Sequence, residues 1–283
     1  MRSLLAQIEA LATKIDNQRT SIIFTLISNM CRFAAYLGAP IFLENVVIKP
    51  QHSLLRQSLR AEEVKSATNG DGFGLGWYGE KSEPALYREV MPAWSDDNLT
   101  SLCATVRSGL FFAHVRAATG TPVTRQNCHP FRHGRFMFMH NGQIGQYTQV
   151  RRSLESLLPD TLYSQRKGST DSELMFFLGL NQMDSTRPVW LAVLKAFEQV
   201  REILRAARIS APLRFSAALA DGEHLYAFRL STDPHPPTLY RRDDHSGVVL
   251  ASEPLDDDAR WQLVPAGSIL KLSSNGATEQ LVA

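Results

Sequence analysis

The sequence predicts an α+β fold in which two sheets lie inside and helices cover them. Three observations support this prediction. Segments with strand character predominate in residues 31–140, helical patterns fill residues 147–207, and strand-like segments return between residues 214 and 272. Strands followed by helices and then by strands again are typical of layers stacked around a shared core. The 283 residues, of which 44% are hydrophobic and 20% charged, are enough for a sizeable core in one domain.

The first part of the chain combines short strands with two helices. Ser53 predicts the start of the first helix, because a serine side chain can cap free backbone N–H groups. The glycine-rich stretch 69–78 predicts a tight turn that feeds a strand. Asn141-Gly142 follows the last strand and is a strong turn signal. The predicted elements are a strand from Cys31 to Pro40, a loop to Pro50, helices over 53–59 and 97–108, and strands over 85–88, 109–116 and 135–140.

Helices and then an antiparallel series of strands complete the predicted domain. Apolar residues recur at helical spacing, and Ser169-Thr170-Asp171 predicts the capped start of the second helix. Asp221-Gly222 predicts a hairpin turn. The helices are predicted over 147–158, 170–181 and 188–207, and the strands over 214–220, 223–230, 239–242, 247–251 and 268–272.

Residues 1–29 precede this domain, and we interpret them as a propeptide or as the result of an upstream start codon. Leucine and isoleucine residues give their first half a helical pattern. The apolar stretch from Ser21 to Ser28 is far shorter than the roughly 20 residues of a membrane helix, and no signal-peptide cleavage pattern follows it. The single predicted domain therefore spans residues 31–283.

Composition narrows the classes of partner. Lys and Arg total 30 against 28 Asp and Glu, and no run of like charges stands out. We therefore expect neither nucleic acid nor a membrane surface as a partner, but a small-molecule substrate. Cys31, Cys103 and Cys128 have no paired spacing, which fits a reducing, cytoplasmic setting. No cofactor is expected, since the glycine-rich stretch lacks the following helix of a dinucleotide site.

Cys31 is the candidate nucleophile. Met30 precedes it directly, so removal of an initiator methionine at that position would leave Cys31 as the first residue. A cysteine thiol has a pKa of about 8.5 and an α-amino group one of about 7.7–8.0. The amine of an N-terminal cysteine can therefore accept the proton of its own thiol, and the residue carries both nucleophile and base.

Several separated motifs accompany Cys31 in a fixed order. They are Met30-Cys31-Arg32-Phe33, the stretch from Asn69 to Trp77, the stretch from Ala113 to Gly120, Asn127-Cys128-His129-Pro130-Phe131, His140-Asn141-Gly142, and Ser169-Thr170-Asp171-Ser172-Glu173. With this ordered set, the chain from Met30 to about Glu173 resembles the class II, or N-terminal-nucleophile, glutamine amidotransferase domain. One such motif is a weak signal, whereas the complete set is specific.

This resemblance implies a four-layer αββα sandwich of the N-terminal-nucleophile type, with two antiparallel sheets between helical layers. It also implies that Cys31 attacks the side-chain amide of glutamine, forms a γ-glutamyl thioester and releases ammonia. Asn141, through its side-chain amide, and Gly142, through its backbone N–H, match the family's oxyanion hole. Donors at that position stabilise the negative charge that develops on the attacked carbonyl oxygen.

The resemblance further assigns three residues to the amino-acid end of the substrate. Arg116 matches the family's carboxylate clamp, where a planar guanidinium can bind two oxygens. Thr119 stands where the family adds a hydroxyl to the same carboxylate. Asp171 matches the acid that contacts the α-ammonium group, and a helix start favours its negative charge. Read alone, Arg116 also fits a surface or strand-end ion pair, Asn141-Gly142 a plain turn and Asp171 a plain helix cap.

No metal site is expected. Four histidines, His114, His129, His133 and His140, lie close together in the sequence near Cys128, but their spacings match no usual pair of zinc ligands. Cys103 and Cys128 are expected to be small buried apolar residues.

Three functions stay open at this point. The first is a stand-alone amidohydrolase of glutamine. The residues after about Asp184 are expected to complete the same sandwich and therefore to leave nothing in this chain that consumes ammonia. A separate ammonia-accepting protein is therefore a further expected partner. The second is hydrolysis of a larger γ-glutamyl conjugate, as in the ergothioneine-pathway hydrolase of the free-standing branch of the family. A catalytically silent regulatory or interaction module is the third, and it would follow if Cys31 stayed blocked by the preceding residues.

Overall fold

The computed structural model describes residues 31–63, 69–118, 120–274 and 276–282. The predicted helical pattern within residues 1–29, and Thr119, lie outside these residues. Within them the chain forms thirteen strands and seven α-helices.

The order of elements along the chain follows the predicted change from strands to helices and back. The strands are β1 Arg32–Phe42, β2 Phe73–Trp77, β3 Ala85–Glu89, β4 Arg107–Val115, β5 Phe131–His133, β6 Phe136–Ile144, β7 Leu213–Ala220, β8 His224–Ser231, β9 Tyr240–Asp244, β10 Gly247–Ala251, β11 Gln262–Leu263, β12 Ser268–Ser273 and β13 Thr278–Val282. The helices are α1 Glu44–Val47, α2 Leu54–Glu63, α3 Asp97–Thr105, α4 Tyr147–Glu155, α5 Asp160–Tyr163, α6 Asp171–Asn181 and α7 Val189–Ala206.

Two antiparallel sheets form the centre of the domain. The seven-stranded sheet has the order β11-β9-β10-β1-β4-β2-β3, and the six-stranded sheet has the order β13-β12-β8-β7-β6-β5. In the first sheet Arg32, at the start of β1, lies opposite Val115, at the end of β4. Cys31 and Arg116 therefore come together at one end of these two central strands, although 85 positions separate them in the sequence.

Side chains that alternate along β1 show how the layers are built, because successive residues of a strand point to opposite faces. Phe33, Ala35 and Leu37 belong to the apolar layer between the two sheets. Ala34 and Tyr36 belong to the layer that packs the first sheet against α1, α2 and α3. A third apolar layer joins the second sheet to α4, α6 and α7. The predicted four-layer αββα sandwich is therefore confirmed.

Helix α6 is the most deeply buried of these helices, and it carries one of the candidate site residues at its start. Nine of its eleven residues, Ser172 to Leu180, are buried. Thr170 caps the helix, since its hydroxyl accepts a 3.1 Å hydrogen bond from the Glu173 N–H. The predicted start of this helix is confirmed.

Several local predictions need correction. Asn141-Gly142 is not a turn: β6 continues to Ile144, because β7 pairs with it through Asn141 opposite Ser216. The helix predicted over 97–108 ends at Thr105, because the backbone is extended at Val106 and strand β4 begins at Arg107. The segment predicted as a loop before Pro50 contains the short helix α1.

None of the helices within the described ranges is both long enough and apolar enough to span a lipid bilayer.

Candidate active site

A cavity of about 540 Å³ lies where β1 begins and β4 ends. Both sheets and the starts of α4 and α6 contribute to its walls. Five of the six site residues predicted from the sequence line it, namely Cys31, Arg116, Asn141, Gly142 and Asp171. The sixth, Thr119, is outside the described residues. The fold thus gathers residues from four separate segments around one space.

The sulfur of Cys31 faces the backbone of Ala117. The Ala117 N–H lies 3.3 Å from Sγ and can donate to it, and the Ala117 carbonyl lies at 3.4 Å and can accept the thiol hydrogen. Burial raises the pKa of the Cys31 thiol, although the Ala117 N–H and the guanidinium groups of Arg116 and Arg32 offset part of this rise. The thiol is therefore the resting form at neutral pH, and attack on a carbonyl requires a base.

Arg116 is buried, with 3% of its surface exposed. Its guanidinium donates to the Asp71 carbonyl at 3.3 Å, to Thr121 Oγ1 at 2.7 Å and to the Pro122 carbonyl at 3.2 Å. These partners are all neutral, and Arg116 forms no ion pair with any residue of the described ranges. A buried charge without a counterion is costly, so the site favours an anion beside Arg116.

Asn141 and Gly142 lie side by side in β6. The side chain of Asn141 is buried and makes no hydrogen bond within the part of the chain that the structure describes, so its amide is available to a bound molecule. Gly142 has a φ of +155°, and a Cβ there would lie 2.0 Å from the Arg214 carbonyl oxygen. Only glycine therefore fits this close approach of β7.

Asp171 is the first residue of α6. One carboxylate oxygen accepts a 2.8 Å hydrogen bond from the Ile144 N–H, and the other accepts one of the same length from the Ser172 N–H. Asp171 has no cationic partner among the described residues. Its position at the helix start favours the negative charge through the helix dipole.

His140 is a buried, neutral part of the wall. Its Nε2 lies 3.1 Å from the Arg214 carbonyl, which can only accept, so Nε2 carries the hydrogen and Nδ1 accepts from the Ser172 hydroxyl at 2.9 Å. Burial lowers the pKa of His140, although Asp171 opposes this shift. Both ring nitrogens are engaged, and His140 therefore supports the position of Ser172 beside Asp171.

Two further buried histidines stack on each other next to the cavity. The ring centroids of His114 and His129 are 4.2 Å apart, and His129 lines the cavity. Burial lowers the pKa of His114 to about 3 and holds the pKa of His129 well below its usual value. Neither ring is an effective base at neutral pH.

The outer wall of the cavity holds side chains that sequence reasoning missed. These are Tyr147, Thr148, Arg151 and Arg214. The first three lie at the start of α4 and Arg214 lies in β7, next to β6. The sequence predicted a turn at Asn141-Gly142, whereas β6 continues to Ile144 and so brings the start of α4 and strand β7 to the cavity. Thr121, which contacts Arg116, was missed because it lies in a loop without a strong pattern.

Comparison with known proteins gives a consistent result. Residues 44–236 match the model of the family described as class-II glutamine amidotransferases. The chain is 30% identical to a Saccharomyces cerevisiae protein named "Probable glutamine amidotransferase DUG3", over 86% of this chain and 82% of that protein. It is also 30% identical to the gamma-glutamyl-hercynylcysteine sulfoxide hydrolase of Mycolicibacterium smegmatis, over 83% of this chain and 92% of that protein.

A solved structure agrees with these matches. The structure of a glutamine aminotransferase class-II domain protein from Silicibacter pomeroyi superimposes with a TM-score of 0.70 and 37% sequence identity, covering 89% of this chain and all of that chain. The family model covers more than half of the chain, and the site contains a cysteine, an arginine, an asparagine-glycine pair and an aspartate in one cavity. This chain therefore belongs to the class II glutamine amidotransferases.

Proposed function

We propose that this protein hydrolyses the γ-glutamyl amide bond of glutamine through a thioester on Cys31. The sulfur attacks the side-chain carbonyl carbon, the C–N bond breaks, and the nitrogen leaves with a proton as ammonia. Water then attacks the thioester, releases glutamate and returns the thiol. Asn141 and Gly142 donate to the oxygen that carries the negative charge in both steps.

One observation carries this proposal: two opposite charges without counterions in the described residues line the same cavity as a cysteine sulfur. Arg116 complements a carboxylate and Asp171 complements an ammonium group. An α-amino acid carries both of these groups on one carbon. The arrangement therefore favours a substrate with a free amino-acid end and an amide that reaches Cys31.

The N-terminal amine of Cys31 is the base that we propose for the first step. The raised thiol pKa creates the need for a base. His140 has both ring nitrogens engaged, and His114 has a pKa of about 3. A base works best when its pKa is near the operating pH, which an α-amino group satisfies with a pKa of about 7.7–8.0.

Replacement of Cys31 tests the proposal. Cys31→Ala should abolish release of ammonia from glutamine, while the protein keeps its melting temperature, because the sulfur contributes little packing. Cys103→Ala is a matched control, since Cys103 is buried in the outer helical layer and should not affect the rate. Ammonia release by Cys31→Ala at the wild-type rate would overturn the proposal. A wild-type protein that hydrolyses no γ-glutamyl compound would favour a silent module.

A larger γ-glutamyl conjugate is the second candidate, and the size of the cavity favours it. Sites for drug-sized ligands occupy about 300–1,000 Å³, and this cavity of about 540 Å³ lies within that range. Free glutamine would leave part of it to water. The uncovered part would be the outer wall with Tyr147, Arg151 and Arg214, where an amine substituent carrying anionic or aromatic groups could bind.

Replacement of Arg151 distinguishes the two candidate functions. The Arg151 side chain is 44% exposed, and within the described ranges it forms an ion pair only with Glu155. Under the second candidate, Arg151→Ala lowers kcat/KM for γ-glutamyl dipeptides and leaves kcat/KM for glutamine unchanged. Wild-type preference for glutamine over every dipeptide, together with no effect of Arg151→Ala, would exclude the second candidate.

A further inference from the structure

Asn127 connects two segments that adjoin the charged residues of the site. It is 1% exposed and lies at the end of a short 3-10 turn, Arg125–Asn127. Its side-chain nitrogen donates to the Pro122 carbonyl at 2.9 Å and to Ser169 Oγ at 3.2 Å. Its side-chain oxygen accepts from the Ser169 N–H at 2.8 Å. One buried amide thus makes three hydrogen bonds to segments 47 residues apart.

On one side, Asn127 shares a partner with Arg116. The Pro122 carbonyl accepts the hydrogen bond from Asn127 and also one of 3.2 Å from the Arg116 guanidinium. The position of this carbonyl therefore depends on the asparagine and in turn orients the guanidinium, which otherwise contacts only neutral groups. Removal of Asn127 would leave the carbonyl with its bond to Arg116 alone.

On the other side, Asn127 fixes the segment that leads into Asp171. Ser169 lies two residues before Asp171, and both its backbone N–H and its hydroxyl contact Asn127. The contact is close, because a Cβ on Gly168 would lie 2.5 Å from the Asn127 side-chain oxygen. The carboxylate of Glu173 also holds this segment, because it accepts hydrogen bonds from the N–H groups of Lys167 and Gly168.

We infer that Asn127 is a positioning residue that fixes the separation between Arg116 and Asp171, so that the site selects molecules with a carboxylate and an ammonium group on the same carbon. The inference rests on the proposed function, in which these two residues bind the amino-acid end of the substrate. Two protein groups held at a fixed separation can bind a carboxylate and an ammonium group on one carbon without losing further conformational freedom of their own. A ligand with only one of these groups gains nothing from that fixed separation.

Binding of three small molecules tests this inference without any turnover. L-glutamate carries both charged groups at its α-carbon, glutarate lacks the ammonium group, and 4-aminobutyrate lacks the α-carboxylate. Isothermal titration of the wild-type protein should show L-glutamate binding more tightly than either analogue. In Asn127→Ala, which loses all three hydrogen bonds of this side chain, affinity for L-glutamate should fall roughly tenfold, and affinity for each analogue should change less than about twofold.

A second variant separates the two sides of the connection. Asn127→Asp keeps an oxygen that accepts from the Ser169 N–H, but it loses the donor to the Pro122 carbonyl and places a carboxylate near Arg116. It should weaken binding of L-glutamate and glutarate and leave 4-aminobutyrate nearly unchanged. Asn181→Ala is the control. Asn181 is the last residue of α6, at the opposite end of the helix from Asp171, and its side chain donates a hydrogen bond to the Leu157 carbonyl.

The outcomes are distinct. Equal weakening of all three ligands in both Asn127 variants, with a lower melting temperature, would reduce Asn127 to a structural residue and overturn the inference. Unchanged affinity for L-glutamate would overturn it as well. A wild-type protein that binds L-glutamate no better than the two analogues would overturn the proposed function itself, and that result is visible before any variant is made.

Discussion

The carboxylate of Asp171 accepts a 2.8 Å hydrogen bond from the backbone N–H of Ile144. This bond connects the first residue of α6 to the last residue of β6, the strand that carries Asn141 and Gly142. The charged group that we propose for the substrate ammonium is therefore fixed relative to the two groups that we propose for the oxyanion.

Asp171→Asn should separate the charge of this residue from its structural contact. Asparagine keeps one oxygen for the Ile144 N–H, but it loses the second oxygen, which accepts from the Ser172 N–H, and it has no charge for the ammonium group. A hydrogen bond to a charged group contributes about 1.5–3 kcal/mol, so kcat/KM for the substrate should fall roughly tenfold to hundredfold, mainly through KM. The melting temperature should fall less in Asp171→Asn, which loses one of the two backbone hydrogen bonds, than in Asp171→Ala, which loses both. Steady-state kinetics and thermal unfolding check both statements, and an unchanged KM in Asp171→Asn would remove Asp171 from the ammonium role.

Arg116→Lys should mainly weaken substrate binding. Lysine keeps the positive charge, but it loses the planar group that binds two carboxylate oxygens and cannot keep all three contacts to Asp71, Thr121 and Pro122. We expect KM to rise roughly tenfold, which corresponds to about 1.4 kcal/mol. Arg205→Lys, at a side chain that is 79% exposed, is the matched control. Wild-type values of KM and kcat/KM in Arg116→Lys would exclude the carboxylate role.

The sequence predicted most elements of the sandwich, because apolar alternation and helix caps are local signals. It predicted Thr170 as the start of α6 for this reason. The prediction of a turn at Asn141-Gly142 was wrong because it used only the local turn propensity of this pair. The pairing with β7 that keeps the pair extended depends on residues 213–216, which are distant in the sequence. The glycine is needed there for the approach of the Arg214 carbonyl rather than for a turn.

The candidate site divides in the same way. Cys31 and Arg116 belong to motifs with a fixed order, so the sequence could predict them. Arg151 and Arg214 have no motif, and only the neighbourhood of α4, β6 and β7 brings them to one cavity. Asn127 was part of a motif, but its connection between two loops depends on a contact 42 residues away.

The buried histidines predict a dependence of stability on pH. Burial lowers the pKa of His114 from 6.5 to about 3, so between these pH values the unfolded chain holds a proton that the folded protein lacks. The free energy of unfolding should therefore fall as the pH drops from about 6.5 toward 3, by about 1.4 kcal/mol per pH unit for this residue. His114→Phe, which can still stack on His129, should reduce that slope. His129→Phe should also reduce this slope, because burial lowers the pKa of His129 as well. Urea unfolding at several pH values measures the slope for each protein. Equal slopes in the wild type and both variants would contradict the prediction.

The chemical state of the Cys31 nitrogen decides whether the proposed base exists. If residues precede Cys31, its nitrogen is an amide and cannot accept the thiol proton. The active protein should therefore begin at Cys31, either after removal of Met30 as an initiator or after cleavage of residues 1–30. Two preparations test this, one that starts at Cys31 and one that retains Met1, with the mass of each intact protein measured beside its rate of ammonia release.

We expect hydrolysis only from the preparation that starts at Cys31. Both preparations should bind L-glutamate, because Arg116 and Asp171 do not depend on the amine, and this binding serves as the control for correct folding. The rate of the active preparation should fall as the pH drops below the pKa of the amine, since a protonated amine accepts no further proton. Full activity from a chain shown by mass to retain Met1 would mean that a group other than the Cys31 amine serves as base, and the N-terminal-nucleophile mechanism would then be wrong for this protein.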